Sequence, residues 1–234
     1  MGIRYNKIKN KHPREIVLLK SFPCKYRKCN FCNYIEDNSL DENEIDRVNL
    51  KTLKKITGEF GVLEVINSGS VFELTSKTLT EIRKIVVEKK IKVLYFEIYY
   101  GYIKRLNEIR EYFKETEVRF RMGLETFNNE YRIKKYNKNF SLNEKQLSEI
   151  AKEIYSVCLL ICTQGQTEEM IKTDIELGLK YFKSITINIF VDNGTIIKRD
   201  TQLVKWFIKN YSFLTTNDRV ELLIDNKDLG VFEQ

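Results

Sequence analysis

Proline and histidine are nearly missing from this chain: 234 residues hold two prolines and one histidine, His12. With so little proline, no Pro/Gly-rich linker divides the chain, and the simplest organisation is one domain over residues 1–234. A single histidine rules out the His-rich donor sets of many zinc and copper sites. Long hydrophobic runs are also lacking. The longest are strand-sized, far short of the ~20 apolar residues a membrane helix needs. The basic N-terminus Met1-Gly2-Ile3-Arg4-Tyr5-Asn6-Lys7 has no apolar stretch behind it, so it does not read as a secretory signal.

What is present is a soluble composition: 42% hydrophobic, 12% aromatic and 31% charged residues. The formal charge is +7. That permits attraction to phosphate-rich partners, but the lysines and arginines are spread along the chain and interleaved with acids. A lysine-rich solvated surface explains them more simply than a nucleic-acid face.

Five cysteines form an odd set, and three of them crowd into nine residues as Cys24-x4-Cys29-x2-Cys32. They follow directly on Glu15-Ile16-Val17-Leu18-Leu19-Lys20, an apolar run of strand length. Such crowding suits a metal centre in a reducing, cytoplasmic setting better than a disulfide framework. Three readings stand for the triplet itself. A 4Fe–4S cluster with three thiolates leaves one iron open to a small molecule. Zinc would need a fourth ligand to complete its tetrahedron. Buried, unligated thiols are the third reading. Cys158 and Cys162, four apart on an expected strand, share a face at a spacing of ~13 Å. That is too far for a shared ligand or a disulfide, so both read as small buried residues.

The rest of the chain alternates strand and helix signals. Strands are expected at residues 15–20, 62–66, 92–99, 117–125, 157–163, 184–191 and 219–224. Residues 35–44, acidic and Asn-rich, read as an exposed connection. Helical spacing of Ile45, Val48, Leu53 and Ile56 follows, closed by Gly58 and Gly61. Thr75 or Ser76 and Thr167 are the expected caps of two later helices, and a polar loop runs through Asn137-Lys138-Asn139. Alternation of this kind means βαβ units on a parallel sheet, with ligands at the carboxyl ends of the strands. Six βα units are too few for a closed eight-stranded barrel of ~250 residues. The expected fold is therefore α/β, a partial (β/α)6 barrel of parallel strands with outer helices.

With the cysteine loop after the first of these strands, Asn67-Ser68-Gly69-Ser70 after the second and Glu125 ending the fourth, the chain resembles the radical S-adenosylmethionine (SAM) superfamily over residues 15–225. The usual triplet there is C-x3-C-x2-C with an aromatic before the last cysteine. Phe31 takes that aromatic place, and the first gap is one residue longer. The resemblance implies a 4Fe–4S cluster on Cys24, Cys29 and Cys32, with SAM as cosubstrate. It also implies an electron donor such as flavodoxin or ferredoxin. Ser68, Gly69 and Ser70 stand where the family's Gly-Gly-Glu-like segment takes the methionine amino group, without the acid. Glu125 would accept from a ribose hydroxyl. Phe31 would lie along the adenine, and backbone near Ile189–Val191 would meet the adenine edge.

Arg121-Met122-Gly123-Leu124-Glu125-Thr126, Ile187-Asn188-Ile189-Phe190 and Cys29-Asn30-Phe31-Cys32-Asn33-Tyr34 resemble a branch acting on nucleobases and tRNA. Small members of that branch cleave queuine and release its aminomethyl deazaguanine precursor. A deazaguanine edge carries adjacent donors that a carboxylate reads with two hydrogen bonds. Glu97 and Asp192 are the candidate readers, with Tyr99 stacking on the ring. A tRNA-modifying radical enzyme is the alternative within that superfamily. A zinc-bearing nucleic-acid-binding or structural protein is the alternative outside it.

Overall fold

A computed structural model describes residues 2–225 and 228–231, which fall into two compact units. The first takes the residues up to Arg27, Tyr34–Phe120 and the described residues from Leu229 on. Its strands are β1 (Tyr5–Ile8), β2 (Arg14–Leu19), β3 (Val62–Asn67) and β4 (Val93–Ile98), with helices α1 (Glu42–Leu53), α2 (Ser76–Glu88) and α3 (Leu106–Tyr112). Strands β2, β3 and β4 run parallel, with Val17 beside Val65 and Val65 beside Phe96. The three residues are fully buried, as the apolar runs demand. Strand β1 was not foreseen. It pairs antiparallel with β2, Tyr5 opposite Val17, and its Tyr-Asn-Lys-Ile sequence carries no apolar alternation to announce it.

The second unit comprises Lys28–Asn33 and the chain from Arg121 to Asp228. Strand β5 (Glu117–Glu125) crosses from one unit into the other. Then come α4 (Asn129–Lys134), α5 (Glu144–Glu153), β6 (Ser156–Ile161), α6 (Glu168–Tyr181), β7 (Ser184–Ile189), α7 (Thr201–Tyr211) and β8 (Val220–Leu223). Strands β5 to β8 pair in parallel and in chain order. Val157, Leu159, Ile161, Ile185 and Ile187 bury one face completely. By the two-residue alternation of a strand, the other face carries Ser156, Cys158, Thr186 and Asn188. There the Arg121 guanidinium donates to Glu221 at 2.7 Å and to Thr186 at 3.4 Å.

The seven expected strands are thus β2 to β8, parallel within each unit and joined through helices, which is the α/β class anticipated. Thr75 and Thr167 cap α2 and α6 by accepting from the Thr78 and Met170 N–H groups. Four local expectations need correction. Helix α1 ends at Leu53, and Gly58 instead sits in a left-handed turn (φ +80°) whose N–H donates to buried Glu15. The stretch after the cysteines is not simply exposed, because Asp37 is buried between Arg4 (2.5 Å) and Lys20 (3.1 Å). The supposed polar loop before α5 begins with α4 and buries Lys138. Cys162 lies past the end of β6 in a left-handed conformation, so it does not extend the face of half-buried Cys158. Burial pushes the Cys162 thiol up to about 12, the state of an inert core thiol. Among the described residues, no helix is long and apolar enough to cross a membrane.

Candidate functional site

In the first unit, Cys24 lies on the segment leaving β2. The residues around it are tied to one residue, Glu73. Phe22 N–H donates to the Glu73 carbonyl (3.0 Å) and Lys25 N–H to its carboxylate (3.2 Å). Glu73 ends the short 3-10 turn Val71–Glu73 that follows Asn67-Ser68-Gly69-Ser70. The same carboxylate accepts from Ser70 N–H and from the Tyr102 hydroxyl, each at 2.6 Å. Burial raises its pKa, against the pull of those three donors.

Ser68-Gly69-Ser70 itself carries no acid, as the sequence reads, but an acid folds back onto the turn. The acid is simply three residues further on, and Ser-x-x-Glu is the very pattern by which a serine opens a helical turn. Gly69 is the position where backbone must come close. A Cβ there would lie 3.1 Å from the Glu73 carboxylate and 3.5 Å from the Cys24 Cα and Cβ. Around the turn, the Ser68 hydroxyl accepts from the Asn38 amide at 2.6 Å, and the Ser68 carbonyl accepts from it at 3.1 Å. Asn38 Oδ1, Asn67 Oδ1 and Ser70 Oγ are buried without a hydrogen-bond partner. Buried polar atoms are seldom left so. Two amide oxygens and a hydroxyl beside one turn fit a ligand rich in N–H donors, such as an amino acid's ammonium group.

Of the candidate base readers in this unit, Glu97 is half-buried on β4, on the face opposite Phe96. Tyr99 follows the strand end and stacks on Tyr26 (5.3 Å, 24°), which takes one face of its ring.

In the second unit, the Cys29–Cys32 segment is stapled by asparagines. Asn30 donates from its backbone to the Tyr136 carbonyl (2.9 Å) and from its side chain to that of Lys135 (3.0 Å). Asn137 donates back to the Lys28 carbonyl (2.7 Å). Asn193, in the loop after β7, donates to the Phe31 carbonyl (2.8 Å) and to Asn33 Oδ1 (3.1 Å). Cys32 N–H closes on the Cys29 carbonyl, the tight turn a C-x2-C pair needs. Phe31 meets Tyr136 edge-on at 5.2 Å, and the Lys138 ammonium lies 5.8 Å from its ring centre.

Lys138 pairs with Glu125 at 2.7 Å, both side chains almost wholly buried. Burial alone would lower the lysine's pKa; the Glu125 carboxylate, joined by the Cys29 and Cys32 sulfurs when these are ionised, outweighs it and raises it. Glu125 ends β5 in the left-handed region (φ +67°), after an irregularity in register at Gly123. Gly123 is needed there, since a Cβ would stand 2.6 Å from the Glu125 carboxylate and 2.9 Å from the Lys138 ammonium. Past β7, the Phe190 N–H is taken by the Ile161 carbonyl. Asp192, exposed, accepts from the Arg199 N–H at 2.8 Å and so closes its own loop.

The donor type at the triplet is thiol throughout, and all five cysteines lack disulfides. Among the described residues, no three His, Cys, Asp or Glu side chains are grouped as a single ion requires. The thiolates of a 4Fe–4S cluster each bind a different iron and need not surround one point.

No family model and no curated protein matches the chain. Among solved structures, the chain is similar to a queuine lyase from Clostridium spiroforme bound to SAM and queuine. The two are 48% identical, the match covers all of both chains, and the TM-score is 0.96.

Proposed function

The chain belongs to the queuine lyase family of radical SAM enzymes, and from that membership we propose that it cleaves queuine and releases the aminomethyl deazaguanine precursor. The observation that carries this reading is full-length similarity to a structure holding both SAM and queuine. We take residues 1–234 as one catalytic domain, a carbon–nitrogen lyase with Cys24, Cys29 and Cys32 as the ligands of a 4Fe–4S cluster. Held by those three thiolates, such a cluster would supply the one-electron reduction of the SAM sulfonium, with methionine leaving, that starts hydrogen abstraction from the substrate.

The chain's own residues bind, orient and exclude water. Ser68, Gly69 and Ser70 offer backbone groups to the methionine ammonium, and Glu73 fixes that turn against the Cys24 segment. Glu125, held by Lys138, accepts from a ribose hydroxyl, and Phe31 lies along the adenine. Glu97 and Asp192 are the candidate readers of the donor edge of the base, Glu97 ranked first, and Tyr99 stacks on its ring. Flavodoxin or ferredoxin supplies the electron.

The test is anaerobic. Reconstituted protein should be brown, with about four iron and four sulfide per chain. With SAM, a reductant and queuine it should release 5′-deoxyadenosine and the aminomethyl deazaguanine. Excess tRNA should not compete, and turnover should respond weakly to salt. Binding to tRNA with a steep salt dependence would transfer the chemistry to a tRNA substrate. Colourless protein with one zinc would end the radical reading.

A further inference from the structure

Asp174 is an acid in an unexpected place. It sits in the middle of α6 and is 1% exposed. Aspartate is a poor helix-interior residue, and buried carboxylates are rare unless paired. Asp174 is instead spent on the turn that follows Glu125. Its Oδ1 accepts from the Phe127 N–H at 2.6 Å and from the Thr126 hydroxyl at 3.0 Å. That hydroxyl accepts in turn from the Asn128 N–H at 3.1 Å, which fixes it as the donor to Asp174. The fully buried Arg132 holds the Thr126 carbonyl from the other side (2.5 Å), and Thr126 N–H closes on the Leu124 carbonyl. Every polar group of Thr126 is therefore committed, one residue after the left-handed Glu125. Such a conformation persists only where its surroundings over-determine it.

We propose that Asp174 is a positioning residue for Glu125: from α6 it clamps the Thr126–Phe127 turn and thereby keeps the Glu125 carboxylate where it meets Lys138 and the cofactor. This rests on the reading of Glu125 as an acceptor from SAM. The charged and titratable groups facing Asp174 are the Arg132 guanidinium on α4 and the Tyr136 hydroxyl beyond it. Neither is hydrogen-bonded to Asp174 Oδ2, which is buried without a partner. The side chain serves the turn with one oxygen only.

The experiment uses reconstituted holoenzyme and measures SAM and queuine affinities separately by calorimetry. Asp174→Ala removes both bonds to the turn and should weaken SAM about 10-fold, leaving queuine within about twofold. Asp174→Asn keeps an acceptor oxygen for the same two donors and should restore SAM affinity to within about threefold. Thr126→Val, which with little change of shape deletes the hydroxyl that donates to Asp174 and accepts from the Asn128 N–H, should weaken SAM by a few-fold and serves if the alanine variant does not fold. Glu125→Gln is the control for the premise. If Glu125→Gln weakens SAM while Asp174→Ala, or Thr126→Val in its place, does not, the clamp is wrong and the reading of Glu125 stands. If Glu125→Gln leaves SAM unaffected, the reading itself fails. Equal loss of SAM and queuine affinity in Asp174→Ala would reduce Asp174 to a fold-stabilising residue and overturn the proposal.

Discussion

The two units solve the same problem, fixing a cysteine-bearing segment beside a buried carboxylate, in opposite ways. In the first, Glu73 is solvated by protein: two backbone N–H groups and the Tyr102 hydroxyl converge on it, and one of those N–H groups belongs to Lys25, next to Cys24. The acid itself is the clasp. In the second, Glu125 is neutralised by an ammonium, and the cysteine segment is clasped separately by Asn30, Asn137 and Asn193. A carboxylate satisfied by neutral donors loses one bond at a time when it is altered. One satisfied by a single buried cation loses all its compensation at once. The first arrangement is graded and the second brittle.

The largest effects are expected at the cysteine triplet. Cys24→Ala removes the first unit's thiol, and Cys29→Ala or Cys32→Ala removes one of the second's. Each is expected to abolish both the brown colour and turnover. Cys158→Ala and Cys162→Ala should keep a full complement of iron. Iron loss in the latter pair equal to that in the triplet would show that the ligand set has been misassigned.

Next comes the contrast between graded and brittle acids. Lys138→Met leaves Glu125 buried without its cation and is expected to cost about 3–5 kcal/mol of stability. Glu73→Gln keeps the shape but turns one acceptor into a donor facing another donor, at about 1–3 kcal/mol. Urea denaturation of the apo-proteins ranks them. If Glu73→Gln is the more damaging, the first unit's acid is not the graded one.

A third test concerns pH. Burial pushes the Asp174 carboxyl up to about 7 from an ordinary 3.8, with the Phe127 N–H, the Thr126 hydroxyl and Arg132 pulling the other way. A raised carboxylate is protonated in the folded state where the unfolded chain has already released its proton. Its contribution is therefore complete below about pH 4 and lost as pH rises through about 7. Asp174→Asn should flatten that part of the stability curve. An unchanged slope would place the titration elsewhere.

How much of this was legible beforehand follows one physical line. Strand and helix signals are local, so the apolar runs gave β2 to β8 in order, and Thr75 and Thr167 announced their helices. The triplet and the turn at Ser68-Gly69-Ser70 were legible for the same reason. Lys138 was not. Inside Asn137-Lys138-Asn139 a lysine looks solvated, and its partner lies 13 residues earlier. Asp37 was misread likewise, because Arg4 is 33 residues away. Glu73 was the avoidable omission, since Ser70-x-x-Glu73 is a local pattern. Polar burial is otherwise a property of partners brought together by the fold, and no periodicity encodes it.

The smallest effects decide which unit reads the base. Each unit holds one candidate reader, Glu97 on β4 in the first and Asp192 in the loop after β7 in the second. A deazaguanine edge presents N–H donors side by side, and an amide in place of the carboxylate would meet one of them donor to donor, costing ~1–3 kcal/mol. Glu97 is half-buried on β4, where water competes less for its oxygens. Asp192 is exposed and already accepts from the Arg199 N–H. Glu97→Gln should therefore raise the queuine dissociation constant by ~10- to 100-fold. Asp192→Asn can keep its Oδ1 on the Arg199 N–H, so it should stay within about threefold. SAM affinity should barely move in either. Calorimetry with both variants separates the outcomes. A large loss at Asp192 alone would move base reading to the second unit, and no loss at either would leave the base edge to groups other than these two acids.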